Sequence, residues 1–146
     1  MKLNRTILIV DDNALFREIL HGLIDMAHPT WRVIEAGDGA EGVQLAQTNS
    51  PDLIFLDLHM PRMNGYEAAL QLQAHSTTRA TPVVLMTSAD EDDPLVVRLR
   101  AFCKEFLGKP FSFRELERTF DRLLKTVSEQ DLRPRSFATP PALEAV

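Results

Sequence analysis

Five polar residues of this sequence stand at or directly after the ends of short apolar runs, and their chemistry is complementary. They are Asp11, Asp12, Asp57, Thr87 and Lys109. Crowded carboxylates repel each other, and a divalent cation such as Mg²⁺, which prefers oxygen ligands, removes that repulsion. An ammonium group and a hydroxyl group suit the oxygens of a phosphoryl group, and an aspartate can be the nucleophile that accepts it.

Apolar periodicity predicts that strands alternate with helices along the chain. We predict strands at 7–10, 31–36, 52–57, 82–87 and 104–108, and helices at 13–27, 39–48, 65–75, 94–102 and 112–127. Nearly continuous apolar strands are typical of a parallel sheet that helices cover on both faces. The pattern therefore predicts an α/β protein with a flavodoxin-like, doubly wound sheet of five parallel strands.

This fold would bring the polar residues together, because the carboxyl ends of parallel strands meet at one edge of the sheet. Each residue alone has an ordinary explanation: Asp12 could cap a helix, Asp57 could be a turn residue, and a lone lysine is usually solvated. Chemistry that is complementary across four separate strand ends favours a shared site for Mg²⁺ and a phosphoryl group.

The first predicted helix carries an apolar stripe that we expect to be buried. The stripe consists of Phe16, Ile19, Leu20, Leu23, Ile24 and Ala27. Leu15 falls at the edge of this stripe, so the spacing leaves open whether it belongs to the core or to a surface.

Composition predicts one globular domain at residues 1–127 and a disordered tail or linker stub at 128–146, where prolines are frequent and apolar periodicity is lost. Among 146 residues, 45% are hydrophobic and the net charge is −5. This charge argues against a nucleic-acid-binding surface, which is normally basic. The first apolar run is too short for a signal peptide or a membrane span, so we expect a cytoplasmic protein without membrane contact.

Four motifs resemble the receiver domain of response regulators, over about residues 4–127. They are Ile9-Val10-Asp11-Asp12, Leu56-Asp57-Leu58-His59-Met60-Pro61-Arg62-Met63-Asn64-Gly65, Val84-Leu85-Met86-Thr87-Ser88 and Phe106-Leu107-Gly108-Lys109-Pro110-Phe111. As a set they are highly specific for the CheY-like receivers of two-component and phosphorelay signalling.

The resemblance implies a role for each site residue. Asp57 would be the phosphoacceptor, with Thr87 and Lys109 each contacting an oxygen of the phosphoryl group. Asp12 would bind Mg²⁺ directly and Asp11 mostly through water, with Asp57 and the main-chain carbonyl of His59 as further ligands. Phe106 would be the aromatic residue that moves when Thr87 moves. The bond between Lys109 and Pro110 would usually be cis in such a protein.

The same resemblance implies a signalling protein and not an enzyme. The phosphodonor would be a histidine kinase or a histidine phosphotransfer protein. Phosphorylation would change the face formed by the fourth helix, the fifth strand and the fifth helix, which a downstream protein or an output domain would read. The sequence does not distinguish a stand-alone responder from part of a longer regulator.

Two other classes use part of this chemistry. A haloacid-dehalogenase-type phosphatase would carry Asp-x-Asp on its first strand and its acidic pair late in the chain, whereas Asp57-Leu58-His59 lacks the second aspartate. A flavodoxin-like flavin binder would need a phosphate-binding loop after the first strand, where Asp11 and Asp12 would instead repel the phosphate.

Overall fold

The computed structural model describes residues 4–88, 92–101, 103 and 105–124. Five strands and five helices alternate in this part of the chain. The strands are β1 (Thr6–Val10), β2 (Arg32–Ala36), β3 (Leu53–Asp57), β4 (Val83–Thr87) and β5 (Glu105–Gly108). The helices are α1 (Ala14–Ala27), α2 (Gly39–Asn49), α3 (Gly65–Ala74), α4 (Pro94–Leu99) and α5 (Phe113–Leu124). The tail predicted at 128–146, and residues 102, 104 and 125–127 of the predicted elements, lie outside the described residues.

All strand pairs in the sheet are parallel, and the strand order is β2-β1-β3-β4-β5. Two apolar clusters cover the two faces of the sheet. One contains buried residues of α1 and α5, and the other contains buried residues of α2, α3 and α4. The predicted flavodoxin-like α/β fold is therefore confirmed, and the order of the strands reverses between β1 and β3.

Helices α1, α2 and α3 begin just after residues whose side chains cap the helix N-terminus. Asn13 accepts a hydrogen bond from the main-chain N–H of Phe16 at the start of α1, and Asp38 caps α2 in the same way. At α3, Asn64 and Glu67 form a reciprocal capping box. Such caps satisfy N–H groups that have no partner within the helix. They begin each of these three helices just after a strand end or the turn that follows it.

The apolar stripe of α1 is only partly covered. Leu20 and Ile24 are buried, as predicted, but Ile19 is 53% exposed and Leu15 is 65% exposed. The prediction that Ile19 lies in the core was wrong, because α5 and the sheet cover only one side of the amphipathic face. Helical periodicity identifies the apolar side of a helix but not how much of it neighbouring elements cover.

Candidate functional site

The ends of β1, β3 and β5 bring three of the sequence-predicted side chains to one place, and Asp12 lies beside them. Asp11 follows β1, Asp57 ends β3, and Lys109 follows β5. Side chains alternate along a strand, and all three continue the positions that face α1 and α5. The residues in the middle of these three strands are apolar. The polar groups lie at the strand ends, beyond the apolar core.

Carboxylate oxygens from Asp11, Asp12 and Asp57 lie within 4.8 Å of one another. Asp11 is fully buried and Asp57 is 7% exposed, whereas Asp12 is exposed. Three hard oxygen donors with one side open to solvent fit Mg²⁺, which takes a few carboxylates and keeps several waters. The residues present are therefore chemically suited to the metal that the sequence motifs imply.

The ammonium group of Lys109 lies between two of these carboxylates. Its Nζ donates to Oδ2 of Asp11 at 2.5 Å and lies 3.3 Å from Oδ1 of Asp57. The main-chain N–H of Lys109 donates to the carbonyl oxygen of Thr87 at 2.9 Å, which joins the ends of β4 and β5. The bond between Lys109 and Pro110 is cis. The cation is thus held beside the carboxylates by both its backbone and its side chain.

The environment of Asp57 disfavours its charged form. Burial raises the pKa of this carboxyl, the negative charge of Asp11 raises it further, Lys109 opposes both effects, and the resulting pKa is about 6. A divalent cation at the cluster would offset the burial and the repulsion together. A positive charge at this site would therefore keep Asp57 ionised and available as a nucleophile near neutral pH.

The segment after β3 is held close to the site. The main-chain N–H of Leu58 donates to the carbonyl of Met86 at 3.2 Å, and that of Gly65 donates to the carbonyl of Leu58 at 2.7 Å. A Cβ atom on Gly65 would lie 2.5 Å from the carbonyl oxygen of Asp57. Only glycine therefore allows α3 to begin against the backbone of the predicted acceptor, which explains the Asn-Gly pair of the motif.

The side chain of His59, two residues beyond Asp57, contacts the residue that caps α4. Its Nε2 lies 3.1 Å from Oδ2 of Asp93, and the other carboxylate oxygen of Asp93 accepts a hydrogen bond from the N–H of Leu95 at the start of α4. The side chain of His59 therefore joins the loop after β3 to α4. Only its main-chain carbonyl was predicted to serve the metal.

Thr87 and Phe106 are diagonal neighbours on adjacent strands. Thr87 pairs with Gly108, and Phe106 pairs with Leu85, so both side chains follow the alternation to the same face of the sheet. Thr87 is buried, while Phe106 is partly buried and packs against the cluster of α2, α3 and α4. Thr87 and Phe106 therefore lie on neighbouring strands and on the same face of the sheet.

Two residues of α1 contact the site although the sequence analysis did not assign them to it. Arg17 donates from Nη1 to the main-chain carbonyl of Asp11 at 2.6 Å and from Nε to Glu35 at 3.0 Å. The ring of Phe16 lies over the ammonium of Lys109, 4.1 Å from Nζ to the ring centroid. The available signal was their place in the first turn of a helix that begins right after the acidic pair.

The fold and this site define a receiver domain of two-component signalling. The family model for the response regulator receiver domain matches residues 7–132. The chain therefore belongs to the response regulator receiver domain family. It is the receiver domain of a two-component response regulator, that is, a signalling domain.

Two relatives illustrate this membership. The chain is 33% identical over 119 residues to the protein PilH of Pseudomonas aeruginosa, covering 81% of this chain and 96% of PilH. It is 38% identical over 114 residues to the transcriptional regulatory protein PdtaR of Mycobacterium tuberculosis, covering 77% of this chain and 53% of PdtaR. It therefore spans about half the length of PdtaR.

A solved structure has the same architecture. It is the receiver domain of a sensor histidine kinase from Pseudomonas aeruginosa, with a magnesium ion coordinated in the active site cleft. Its TM-score is 0.76 at 27% identity, and the match covers 84% of this chain and 99% of that one. Within the part of the present chain that the structure describes, no helix combines the length and apolar content needed to cross a membrane.

Proposed function

We propose that this receiver domain accepts a phosphoryl group on Asp57 in the presence of Mg²⁺ and transmits the signal through its α4-β5-α5 face. The observation that carries this proposal is the position of the Lys109 ammonium, 2.5 Å from Asp11 and 3.3 Å from Asp57. The carboxylates can bind a metal ion, and the ammonium can pair with an oxygen of a phosphoryl group on Asp57.

In the proposed reaction, an oxygen of Asp57 forms a bond with the phosphorus atom of a phosphohistidine. The phosphorus–nitrogen bond breaks, and the electron pair of that bond leaves with the imidazole. Mg²⁺, held by Asp11, Asp12, Asp57 and the main-chain carbonyl of His59, would neutralise negative charge on the phosphoryl oxygens. Lys109 pairs with one of these oxygens, and the hydroxyl of Thr87 donates a hydrogen bond to another.

The phosphodonor is proposed to be a histidine kinase or a histidine phosphotransfer protein that docks along α1. Three exposed apolar residues, Leu15, Ile19 and Met26, follow helical spacing on this helix and are 65%, 53% and 79% exposed. The stripe begins beside the site, where the neighbouring residue Phe16 packs edge-to-face on Phe111. Clustered exposed apolar side chains next to a reactive group suit a transient protein interface.

The signal is proposed to pass from Asp57 through Thr87 to Phe106. A phosphoryl group would attract the Thr87 hydroxyl by a charge-assisted hydrogen bond, worth about 1.5–3 kcal/mol. Movement of Thr87 would open space for Phe106 on the same face of the sheet. A complete switch needs roughly 5.5 kcal/mol of differential stabilisation, so Lys109 and the metal must also favour the active state. A downstream protein or an output domain would read the changed face.

The test is phosphorylation by a histidine kinase and, separately, by acetyl phosphate. Wild type should gain a label that acid and base both remove, and chelation of Mg²⁺ should abolish it. Asp57→Asn should gain no label, because a carboxamide is a poor nucleophile, and Asp12→Asn should lose much of the rate. If Asp57→Asn is labelled as fast as wild type, the acceptor is another residue.

The same preparations should be assayed for turnover of a generic phosphoester. We expect none, since the proposed role is phosphotransfer to the domain itself with slow release. Sustained turnover that depends on Asp57 would instead favour a phosphatase.

A further inference from the structure

Lys109 has an aromatic neighbour in addition to its two carboxylates. Its Nζ lies 4.1 Å from the centroid of the Phe16 ring, and the Lys109 side chain is only 19% exposed. A cation at this distance over a ring face is attracted by the negative charge of the π system. The ammonium is therefore enclosed by Asp11, Asp57 and Phe16.

Phe16 is itself held in place from two directions. Its main-chain N–H donates to Oδ1 of Asn13, the cap of α1, at 3.1 Å. Its ring meets Phe111 edge-to-face, with centroids 5.9 Å apart and an interplanar angle of 82°. The ring is thus anchored both to the start of α1 and to the segment after β5. An anchored ring constrains a flexible lysine side chain more effectively than a mobile one would.

We propose that Phe16 is a positioning residue for Lys109, and that the face of its ring sets how tightly the site holds a phosphoryl-shaped anion at Asp57. This inference rests on the proposed function, because it concerns the same anion site. The ring acts in two ways. It limits the ammonium to positions beside the carboxylates, and it excludes water from one side of the cation, where weaker dielectric screening strengthens pairing with an anion.

An aliphatic residue of similar volume would fill the space but would not attract the cation. The proposal therefore requires the electrons of the ring, and not only its bulk. Stepwise fluorination of phenylalanine withdraws those electrons while changing the size of the ring little. Attraction of a cation should fall at each step, whereas apolar packing should be preserved.

The experiment places mono-, di- and trifluorophenylalanine at position 16 of the full chain by site-specific incorporation. Beryllofluoride with Mg²⁺ is the probe, and its apparent dissociation constant is measured from the backbone amide resonances of the protein. We expect the constant to rise in even steps, reaching about three- to tenfold for the trifluoro ring. Phe16→Leu should weaken binding by a similar factor, whereas Phe16→Tyr should keep most of the wild-type affinity.

The matched control is the same series at Phe120, which is fully buried on α5 among aromatic residues and belongs to the core. Fluorination there should leave the affinity for beryllofluoride unchanged, and thermal unfolding checks that each variant folds. If wild type binds the probe and all variants of the Phe16 series bind it equally well, the proposed role of Phe16 is wrong, but the proposed acceptor is not affected. Failure of wild type to bind the probe, or equal binding by Asp57→Asn, would overturn the proposed acceptor as well.

Discussion

Oδ2 of Asp11 accepts a hydrogen bond from Nζ of Lys109 at 2.5 Å, although the two residues are 98 positions apart in the chain. The same ammonium is farther from Asp57, at 3.3 Å. The lysine therefore shares its charge with a second carboxylate and does not fully offset the burial of Asp57. The pKa of Asp57 is raised to about 6 because the effects of burial and of the Asp11 charge exceed the opposing effect of Lys109.

Asp57→Asn should stabilise the metal-free protein above pH 6. The pKa of Asp57 is raised to about 6 in the folded state, against the ordinary value of 3.8 that applies to the unfolded chain. Between these pH values the folded state binds more protons than the unfolded state, so the free energy of unfolding of wild type falls as pH rises. The difference corresponds to about 2–3 kcal/mol at pH 7, at about 1.4 kcal/mol per pKa unit.

Urea unfolding with excess chelator, at pH values from about 3.5 to 7.5, measures this effect. The stability difference should shrink towards the acid end of this range, because Asp57 becomes increasingly protonated in the unfolded state as well. A stability difference that does not change across this range would mean that the folded protein does not raise the pKa of Asp57.

Mg²⁺ should stabilise the folded protein, because three carboxylates meet at a site that only the folded chain assembles. A ligand at about 100 times its dissociation constant adds roughly 2.7 kcal/mol to the free energy of unfolding. Thermal unfolding with Mg²⁺ and then with excess chelator measures the shift. Asp12→Ala should lose most of it, whereas Asp25→Ala, an exposed aspartate elsewhere on α1, should keep it. Equal shifts in both variants would speak against the site.

Leu15→Ala should slow phosphotransfer from a histidine kinase without slowing reaction with acetyl phosphate. Leu15 is 65% exposed, so its truncation removes contact surface for a partner and leaves the core intact. We expect a loss of about fivefold or more, as for a residue at the centre of an interface. The measurement is the initial rate with each donor.

Val97→Ala is the matched control for this experiment, since Val97 is an apolar residue of α4 that is 55% exposed. It should leave both rates unchanged. An equal loss of rate with both donors in Leu15→Ala would show that the substitution disturbs the site and does not disrupt docking.

Thr87→Ala should uncouple phosphorylation from the change at α4 and β5. The variant should still be phosphorylated, though more slowly, because Lys109 and the carboxylates remain. NMR titration with beryllofluoride and Mg²⁺ should shift the resonances of α4 and β5 in wild type much more than in the variant. Full wild-type shifts in Thr87→Ala would mean that the signal does not pass through Thr87 to Phe106.

The strand positions could be predicted because short apolar runs between turn residues leave few alternatives. The differences at the boundaries are single residues with local causes. Asp52, predicted to begin the third strand, instead precedes β3, and its carboxylate accepts a hydrogen bond from the N–H of Thr6 at 2.8 Å. Trp31 and Pro82 likewise lie just outside β2 and β4.

The sequence by itself determined the fold class and the family, because buried strands and a specific set of motifs are both readable from order and spacing. Only the tertiary structure decided which polar and aromatic groups touch. Phe16 carries the periodicity of a core residue, yet its ring covers Lys109, 93 positions later in the sequence. Ile19 carries the same periodicity, yet it faces solvent. Periodicity gives the direction of a side chain relative to its own helix, whereas burial and contact depend on how the other elements pack around that helix.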